Sequence, residues 1–387
     1  MPNYQGLIIK FILVGSLLTN SYASIPRINV KIASALKEVK VSGTDIQNRI
    51  EITKTSKVYP GRKLLKFNCL PILKQVKMQP NSIRLASIES KAGVLNWNRG
   101  GYNGKLNVIL SKEGKGCDLI NEISLERYIS LLLTKEMNHK WPAEALKAQA
   151  VAARSYAYHK MSSGQVSKNK GYETFYDLEN SQKHQVNGTF FDERQSTISA
   201  AKKTSGEILT LADGNSTPIF FHSKCGGHTL KPDQVWKNKI AGYASVKCEY
   251  CHSHGIKDWR VDINPKKLLS LMDETLRDYH SQKLIASSRF VKIVPDRNTN
   301  SYLRLYDGDK LKVLKKSRLR VKLGFQSAMS NNYKVAKDKK GIHLRGKGHG
   351  HGVGLCQYGA YEMAKRGYNY KQILKHYFPN HFLRTIY

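Results

Sequence analysis

Acidic residues are scarce in this chain. Asp and Glu number 29 against 64 Lys and Arg in 387 residues, for a formal charge of +35. Such an excess selects for a polyanionic partner, whether nucleic acid, acidic lipid or an acidic cell-wall polymer. Long apolar runs are missing too. Beyond the N-terminus none approaches the ~18 residues of a membrane span, so no transmembrane anchor is expected. Cysteine is sparse, with six residues at 69, 117, 225, 248, 251 and 356, too few for a disulfide scaffold of this length. Internal repeats are absent, which excludes a solenoid. What remains is 40% hydrophobic with 11 Phe, 21 Tyr and 4 Trp, enough to bury a sizeable core and to exclude a wholly disordered or collagen-like chain.

Residues 1–23 carry a single charge, Lys10, ahead of a mostly apolar run from Phe11 to Leu18, and Ser21-Tyr22-Ala23 supplies small residues for a signal peptidase. This is the layout of a signal peptide, and its removal lowers the positive charge by one. Export to the periplasm or to an extracellular cell wall is therefore expected. It moves wall polymers ahead of nucleic acid, which is not an expected partner. Cys69 and Cys117 are a candidate disulfide for an oxidising compartment.

Residues 24–95, Lys-rich and marked by Pro26, Pro60, Pro71 and Pro80, read as a basic, β-rich N-terminal region of open role. Residues 96–387 read as one larger domain with a smaller β-containing section near 256–340. Glycine-punctuated segments between Val94 and Ile123 predict hairpins. Ser124 fits a helix N-cap, followed by Leu125, Tyr128, Ile129, Leu132 and Leu133 at helical spacing. Pro142 suits the start of a second helix with Leu146, Ala150, Ala153 and Ala157 on one face. Further helices are expected around Thr197–Thr204, near Pro265–Leu276, up to about Lys365 and from Asn369 to Tyr377, with strands at Glu207–Leu211, Phe290–Val294 and Tyr302–Tyr306. The predicted class is α+β, with mixed helices and short antiparallel sheets around a substrate groove.

Glu136 ends the first of these helices, just before the break at 138–141. The negative end of the helix dipole disfavours a charged carboxyl there, and shielding by Met137 and Trp141 would favour the neutral acid further. A general acid at a glycosidic oxygen has that requirement. The competing reading is an ordinary solvated Glu at a helix end.

Glu136-Met137, Pro142, Glu144–Ala150 and Ala152–Ala157 resemble the core of the SpoIID/LytB family of peptidoglycan lytic transglycosylases and amidase enhancers. Further similarities follow in order at Tyr176–Leu178, Gln185–Gly188, His222-Ser223, Gly226–Thr229, Val235-Trp236, Gly346–Leu355, Gln357–Ala360 and Met363-Ala364. Together they span residues 100–387. The resemblance implies that Glu136 is the single catalytic acid/base, cleaving MurNAc–GlcNAc bonds of peptide-stripped glycan strands to 1,6-anhydro ends without a catalytic cofactor. It implies that Arg154 lies near Glu136, either binding a lactyl carboxylate or holding the helix pair. Asp177 is implied to position substrate or structure, and His222 to line the groove. The other family role is a non-catalytic activator of an N-acetylmuramoyl-L-alanine amidase, so peptidoglycan and a wall amidase are the implied partners.

The loop Gly346–Gly354 has glycine at every second position, suited to close backbone approach beside a sugar groove. His351 and Tyr358 are placed to stack on or hydrogen-bond to sugars, or else to pack the C-terminal helices. Cys248-Glu249-Tyr250-Cys251 is a CxxC which, with Cys225 and His228, would make a Cys₃His structural zinc site. A disulfide between two of these thiols is the alternative, and Cys356 has no evident mate.

Overall fold

The computed structural model describes residues 24–387 apart from 52, 70–81, 112–115, 165–173, 181–184, 186–187, 252–257, 265–266, 269–270, 272–290, 296–301, 308–309 and 339–340. The expected signal peptide lies outside the described residues, as does most of the helix expected near Pro265–Leu276.

The N-terminal third is a nine-stranded sheet. Its strands are β1 (Arg27–Leu36), β2 (Glu38–Ile50), β3 (Thr55–Asn68), β4 (Ile83–Ser90), β5 (Leu95–Trp97), β6 (Gly100–Tyr102), β7 (Lys105–Leu110) and β8 (Cys117–Ser124). Helices α1 (Leu125–Glu136) and α2 (Ala143–Ser163) follow, and the short β9 (Leu178–Glu179) returns to the sheet edge. The strand order is β6-β5-β2-β4-β7-β8-β1-β9, with β3 paired to β2. The division expected at residue 95/96 does not coincide with a break in this sheet. β5 crosses it, and β4 from one side pairs antiparallel with β7 from the other. β7 is packed on both faces, with Leu106, Val108 and Leu110 in one apolar cluster and Ile109 against Ile120 and Tyr176 in another, which is why Leu106–Leu110 is a continuous buried run rather than an alternating one. Cys69 and Cys117 are joined by a disulfide on this sheet.

α1 buries Leu125, Tyr128, Ile129, Leu132 and Leu133 as its spacing predicts, but Ser124 makes no side-chain capping bond. α2 departs from expectation. Its Ala-rich middle is buried all round, with Ala148, Ala150, Val151, Ala152, Ala153 and Ala157 inaccessible, so small side chains let neighbours approach from every side. Those neighbours include α1, α3 (Gln195–Lys203) and β10 (Glu207–Thr210).

The remaining elements are β11 (Phe221–His222), α4 (Pro232–Val235), β12 (Trp259–Ile263), β13 (Val291–Pro295), β14 (Tyr302–Asp307), β15 (Lys310–Lys315) and α5 (Lys316–Leu323). They are followed by β16 (Tyr333–Asp338), β17 (Gly341–Gly346), β18 (Leu355–Cys356), α6 (Gln357–Lys365), α7 (Tyr370–Tyr377) and β19 (Phe382–Thr385). β12-β17-β16 and β13-β14-β15 form two antiparallel three-stranded sheets within the β-containing section, and β19 pairs with β10. α6 and α7 pack on α2. α7 begins with a capping box from Asn369 and Gln372. The class is α+β with a β-rich N-terminal region, as expected.

The disulfide closes a loop of 48 residues, for which chain-entropy arguments give about 4 kcal/mol of stabilisation. Replacing Cys69 and Cys117 together with Ser is expected to lower the denaturant midpoint accordingly. An unchanged midpoint in guanidinium titration would contradict a stabilising disulfide.

Candidate functional site

Glu136 is the last residue of α1 and is partly buried. Met137 beside it is buried, and the chain then turns, with the Trp141 N–H donating to the carbonyl of Asn138 at 3.0 Å. This turn exposes the helix end to the C-terminal segment. Gln357, the first residue of α6, donates from Nε2 to the backbone carbonyl of Glu136 at 3.0 Å. The next residue, Tyr358, stacks edge-on to Trp141 with ring centroids 5.0 Å apart, and Tyr361 approaches the same indole at 4.9 Å. An acidic side chain and three aromatic rings thus come from segments more than two hundred residues apart.

The glycine loop reaches this place through backbone pairing. β11 and β18 lie parallel, with Phe221 opposite Leu355 and His222 opposite Cys356. Lys224 bridges to His349, and Leu230 to Val353. Gly348, Gly350, Gly352 and Gly354 all have positive φ. A Cβ at Gly354 would meet the Phe220 carbonyl oxygen at 2.1 Å, and one at Gly348 would meet the Lys224 oxygen at 2.4 Å. Close backbone approach to residues 220–226 thus requires glycine at 348 and 354, and positive φ favours it at 350 and 352 as well.

His222 and His351 lie within this pairing, their rings 5.5 Å apart. His222 donates from Nδ1 to the Val353 carbonyl at 3.0 Å, while His351 Nδ1 accepts the Val353 N–H at 3.1 Å. Burial pushes the His222 imidazole down to about 4 and that of His351 to about 3, so both are neutral near pH 7. His351 also packs on Trp236 at 5.2 Å. β11–β18 pairing thus sets His222 opposite Cys356, next in sequence to the Gln357–Tyr358 segment that meets the Glu136 helix end.

Two expected substrate ligands have other roles. Arg154 is fully buried and makes a two-pronged ion pair with Glu126 of α1, both contacts at 2.7 Å. Its remaining donors reach the carbonyls of Ala201 and Glu207 at 3.1 Å. With its guanidinium enclosed and its planar fork filled, it has no face for a lactyl carboxylate, and it clamps α1, α2 and the α3–β10 corner. Asp177 accepts from the Asn29 backbone N–H at 2.8 Å, tying the segment before β9 to β1, and burial pushes its carboxyl up.

The metal expectation also changes in composition. The buried thiols of Cys225, Cys248, Cys251 and Cys356 cluster with ligand atoms within 4.8 Å of one another. His228 is outside that cluster, its backbone bridged to Lys247. Four thiols, rather than three and an imidazole, thus come together, because β11–β18 pairing delivers Cys356 to the other three. Nothing local to Cys356 signals this, but a fourth unmatched cysteine in the sequence is a usable hint. The roles of Glu126 and Gln357 were likewise not read from sequence. An Arg in the middle of an Ala-rich apolar run did call for a buried acid.

A carboxylic acid at a helix end, a cluster of aromatic rings and a glycine loop held by backbone pairing are thus linked through the Gln357–Tyr358 segment. Residues 113–211 match the family model described as Stage II sporulation protein. The chain is 33% identical over 261 residues to an uncharacterized protein of Brachyspira hyodysenteriae, covering 67% of this chain and 66% of that one. It is 29% identical over 276 residues to Stage II sporulation protein D of Bacillus subtilis, covering 67% and 74%. To the amidase enhancer of Bacillus subtilis it is 25% identical over 293 residues, covering 64% of this chain and 39% of that longer protein. The chain belongs to the SpoIID/LytB family.

Replacing Arg154 with Met leaves the mostly buried Glu126 carboxylate without its cation, with only the Gly206 N–H and the Tyr387 hydroxyl as donors, and is expected to destabilise the fold by about 3–5 kcal/mol. Unfolding titrations of Arg154→Met and of the double variant with Glu126→Gln check this, the pair being strongly non-additive. A wild-type midpoint with weakened glycan binding would return Arg154 to a ligand role.

Proposed function

We propose that this chain is an exported peptidoglycan lytic transglycosylase with Glu136 as its single general acid/base. The observation that supports the reading most is the meeting of Glu136, Trp141 and Tyr358 at one helix end, held by the Gln357 bond. The family is cell-wall-related. Protonated Glu136 donates to the glycosidic oxygen between MurNAc and GlcNAc, and the C1–O bond breaks with oxocarbenium character. The muramic C6 hydroxyl then attacks C1 and returns its proton to the carboxylate, leaving a 1,6-anhydro end and regenerating the acid. The cycle consumes no water and needs one carboxyl group, where a hydrolase ordinarily needs two at a defined separation. Asp177 and Glu144, the other acids of the family motifs, are engaged with Asn29 and with Lys147 and the Tyr370 N–H, in keeping with a one-carboxylate scheme.

Trp141 and Tyr358 offer faces for pyranose rings, while the buried neutral imidazoles of His222 and His351 hold the glycine loop beside them. The excess of 64 Lys and Arg over 29 Asp and Glu would retain the enzyme on peptide-stripped strands, where each MurNAc carries a free lactyl carboxylate. The Cys69–Cys117 disulfide supports an oxidising, exported setting. The name of the amidase enhancer relative favours a second reading, a wall-binding activator of an amidase with no chemistry of its own.

Denuded glycan strands incubated with the protein should yield anhydro-ended fragments by mass spectrometry, and Glu136→Gln should lower turnover by about 10³-fold or more while leaving strand binding intact. Absence of products from the wild type, with amidase stimulation retained, would select the second reading.

Retention by charge predicts that strand binding weakens steeply as ionic strength rises and the Debye length shrinks from about 10 Å at 0.1 M. Binding unaffected by salt in a sedimentation assay would contradict this use of the positive charge.

A further inference from the structure

Four cysteines converge from three separate segments. Cys225 follows β11, Cys248 and Cys251 lie on one turn, and Cys356 ends β18 and caps α6. All four are buried and unbonded, with Sγ atoms within 4.8 Å of one another and Cys225 to Cys251 at 3.4 Å. Two other cysteines of the same chain, Cys69 and Cys117, do form a disulfide. The sulfur spacing fits a tetrahedron: with Zn–S bonds of about 2.3 Å, its edge is about 3.8 Å.

Two backbone donors converge on one of these sulfurs, which also lies 3.8 Å from the Ser223 carbonyl oxygen. The backbone N–H groups of Cys225 and Gly359 both point at Cys356 Sγ, at 3.3 and 3.4 Å. The Tyr377 hydroxyl lies 3.1 Å from Cys248 Sγ. Converging N–H donors are what a metal thiolate takes from its outer shell, whereas a neutral thiol is a weak acceptor. An all-thiolate set selects a soft or borderline ion, and four protein ligands close the tetrahedron, which makes the site structural. Binding Zn²⁺ releases the four thiol protons and leaves a centre of net charge −2, which a chain of formal charge +35 accommodates.

We propose that Cys225, Cys248, Cys251 and Cys356 hold one structural Zn²⁺, and that this ion fixes the Cys356–Gln357–Tyr358 segment against the Glu136 helix end. The second half rests on the proposed function, and the first half does not. The link is short. Gln357, adjacent to the ligand Cys356, bonds the Glu136 carbonyl, and the Tyr358 N–H donates to the Ser223 carbonyl at 3.1 Å, two residues before the ligand Cys225. Gln357 is thus a positioning residue, and the metal is what holds the backbone it stands on.

Elemental analysis of the full chain purified in zinc-containing buffer should give one zinc per protein. Its four thiols should be inaccessible to a thiol reagent until denaturant and chelator are added together. Cys356→Ser should lower zinc affinity by about tenfold or more, while His228→Ala keeps full occupancy. In case Cys356→Ser does not fold, wild-type protein stripped of metal and loaded with Co²⁺ should show the absorption of a tetrahedral tetrathiolate centre, and zinc should raise its melting temperature. Gln357→Ala should keep its zinc yet lose kcat on glycan strands with KM little changed.

Four thiols absent under denaturing, non-reducing conditions, or a cobalt spectrum with nitrogen ligation that His228→Ala removes, would overturn the site. Unchanged kcat in Gln357→Ala with zinc bound would overturn the positioning role. Zinc stoichiometry and cobalt spectra are read without glycan, so their failure is distinguishable from a failure of the transglycosylase reading.

Discussion

The hydrogen bond from Gln357 to the carbonyl of Glu136 joins residues 221 apart in sequence, and the site depends on it. A carbonyl at a helix C-terminus has no partner within its own helix and must find one elsewhere. Here the partner is supplied by the first residue of another helix, so satisfying the backbone of α1 also sets where the carboxyl of Glu136 stands relative to Tyr358 and Trp141. Everything that places α6 therefore places the candidate acid. That includes β11–β18 pairing, the four glycines at positive φ and the thiol cluster.

A second constraint acts beneath the first. α2 is buried on all sides, and the one long charged side chain at its middle, Arg154, is matched by Glu126. Burying a guanidinium is costly unless its charge and donors are met, and here a carboxylate and two backbone carbonyls meet them. The arrangement fixes α1 against α2 and the α3–β10 corner. Since α1 ends in Glu136, the clamp and the Gln357 bond hold the same helix from opposite sides of the chain. A motif residue close to a candidate acid in sequence terms can thus serve it entirely through packing.

What could be read from the sequence was local. The spacing of Leu125, Tyr128, Ile129, Leu132 and Leu133 sets α1, and the alanines of 143–157 signal a tightly packed α2, because helical periodicity is carried within a dozen residues. The glycine loop was legible for the same reason, since Gly348, Gly350, Gly352 and Gly354 each take a positive φ of their own. Residues 24–95 were legible only as β-rich. Register and pairing across β2, β4 and β7 depend on partners far along the chain, so the expected break at 95/96 falls inside a sheet. The fourth thiol, the Gln357 bond and the saturation of Arg154 are all long-range events. Periodicity does not encode which distant segment fills a given donor, and the choice of His228 over Cys356 followed from sequence proximity alone.

The central claim is that one carboxyl group both gives and takes back the proton while the muramic C6 hydroxyl, not water, completes the cut. Digestion of denuded glycan strands by the zinc-loaded wild-type protein in heavy-oxygen water tests it most directly. The account predicts fragments that end in unlabelled 1,6-anhydro-muramic acid from the first turnovers. Reducing ends carrying the solvent oxygen, formed without an anhydro intermediate, would contradict it.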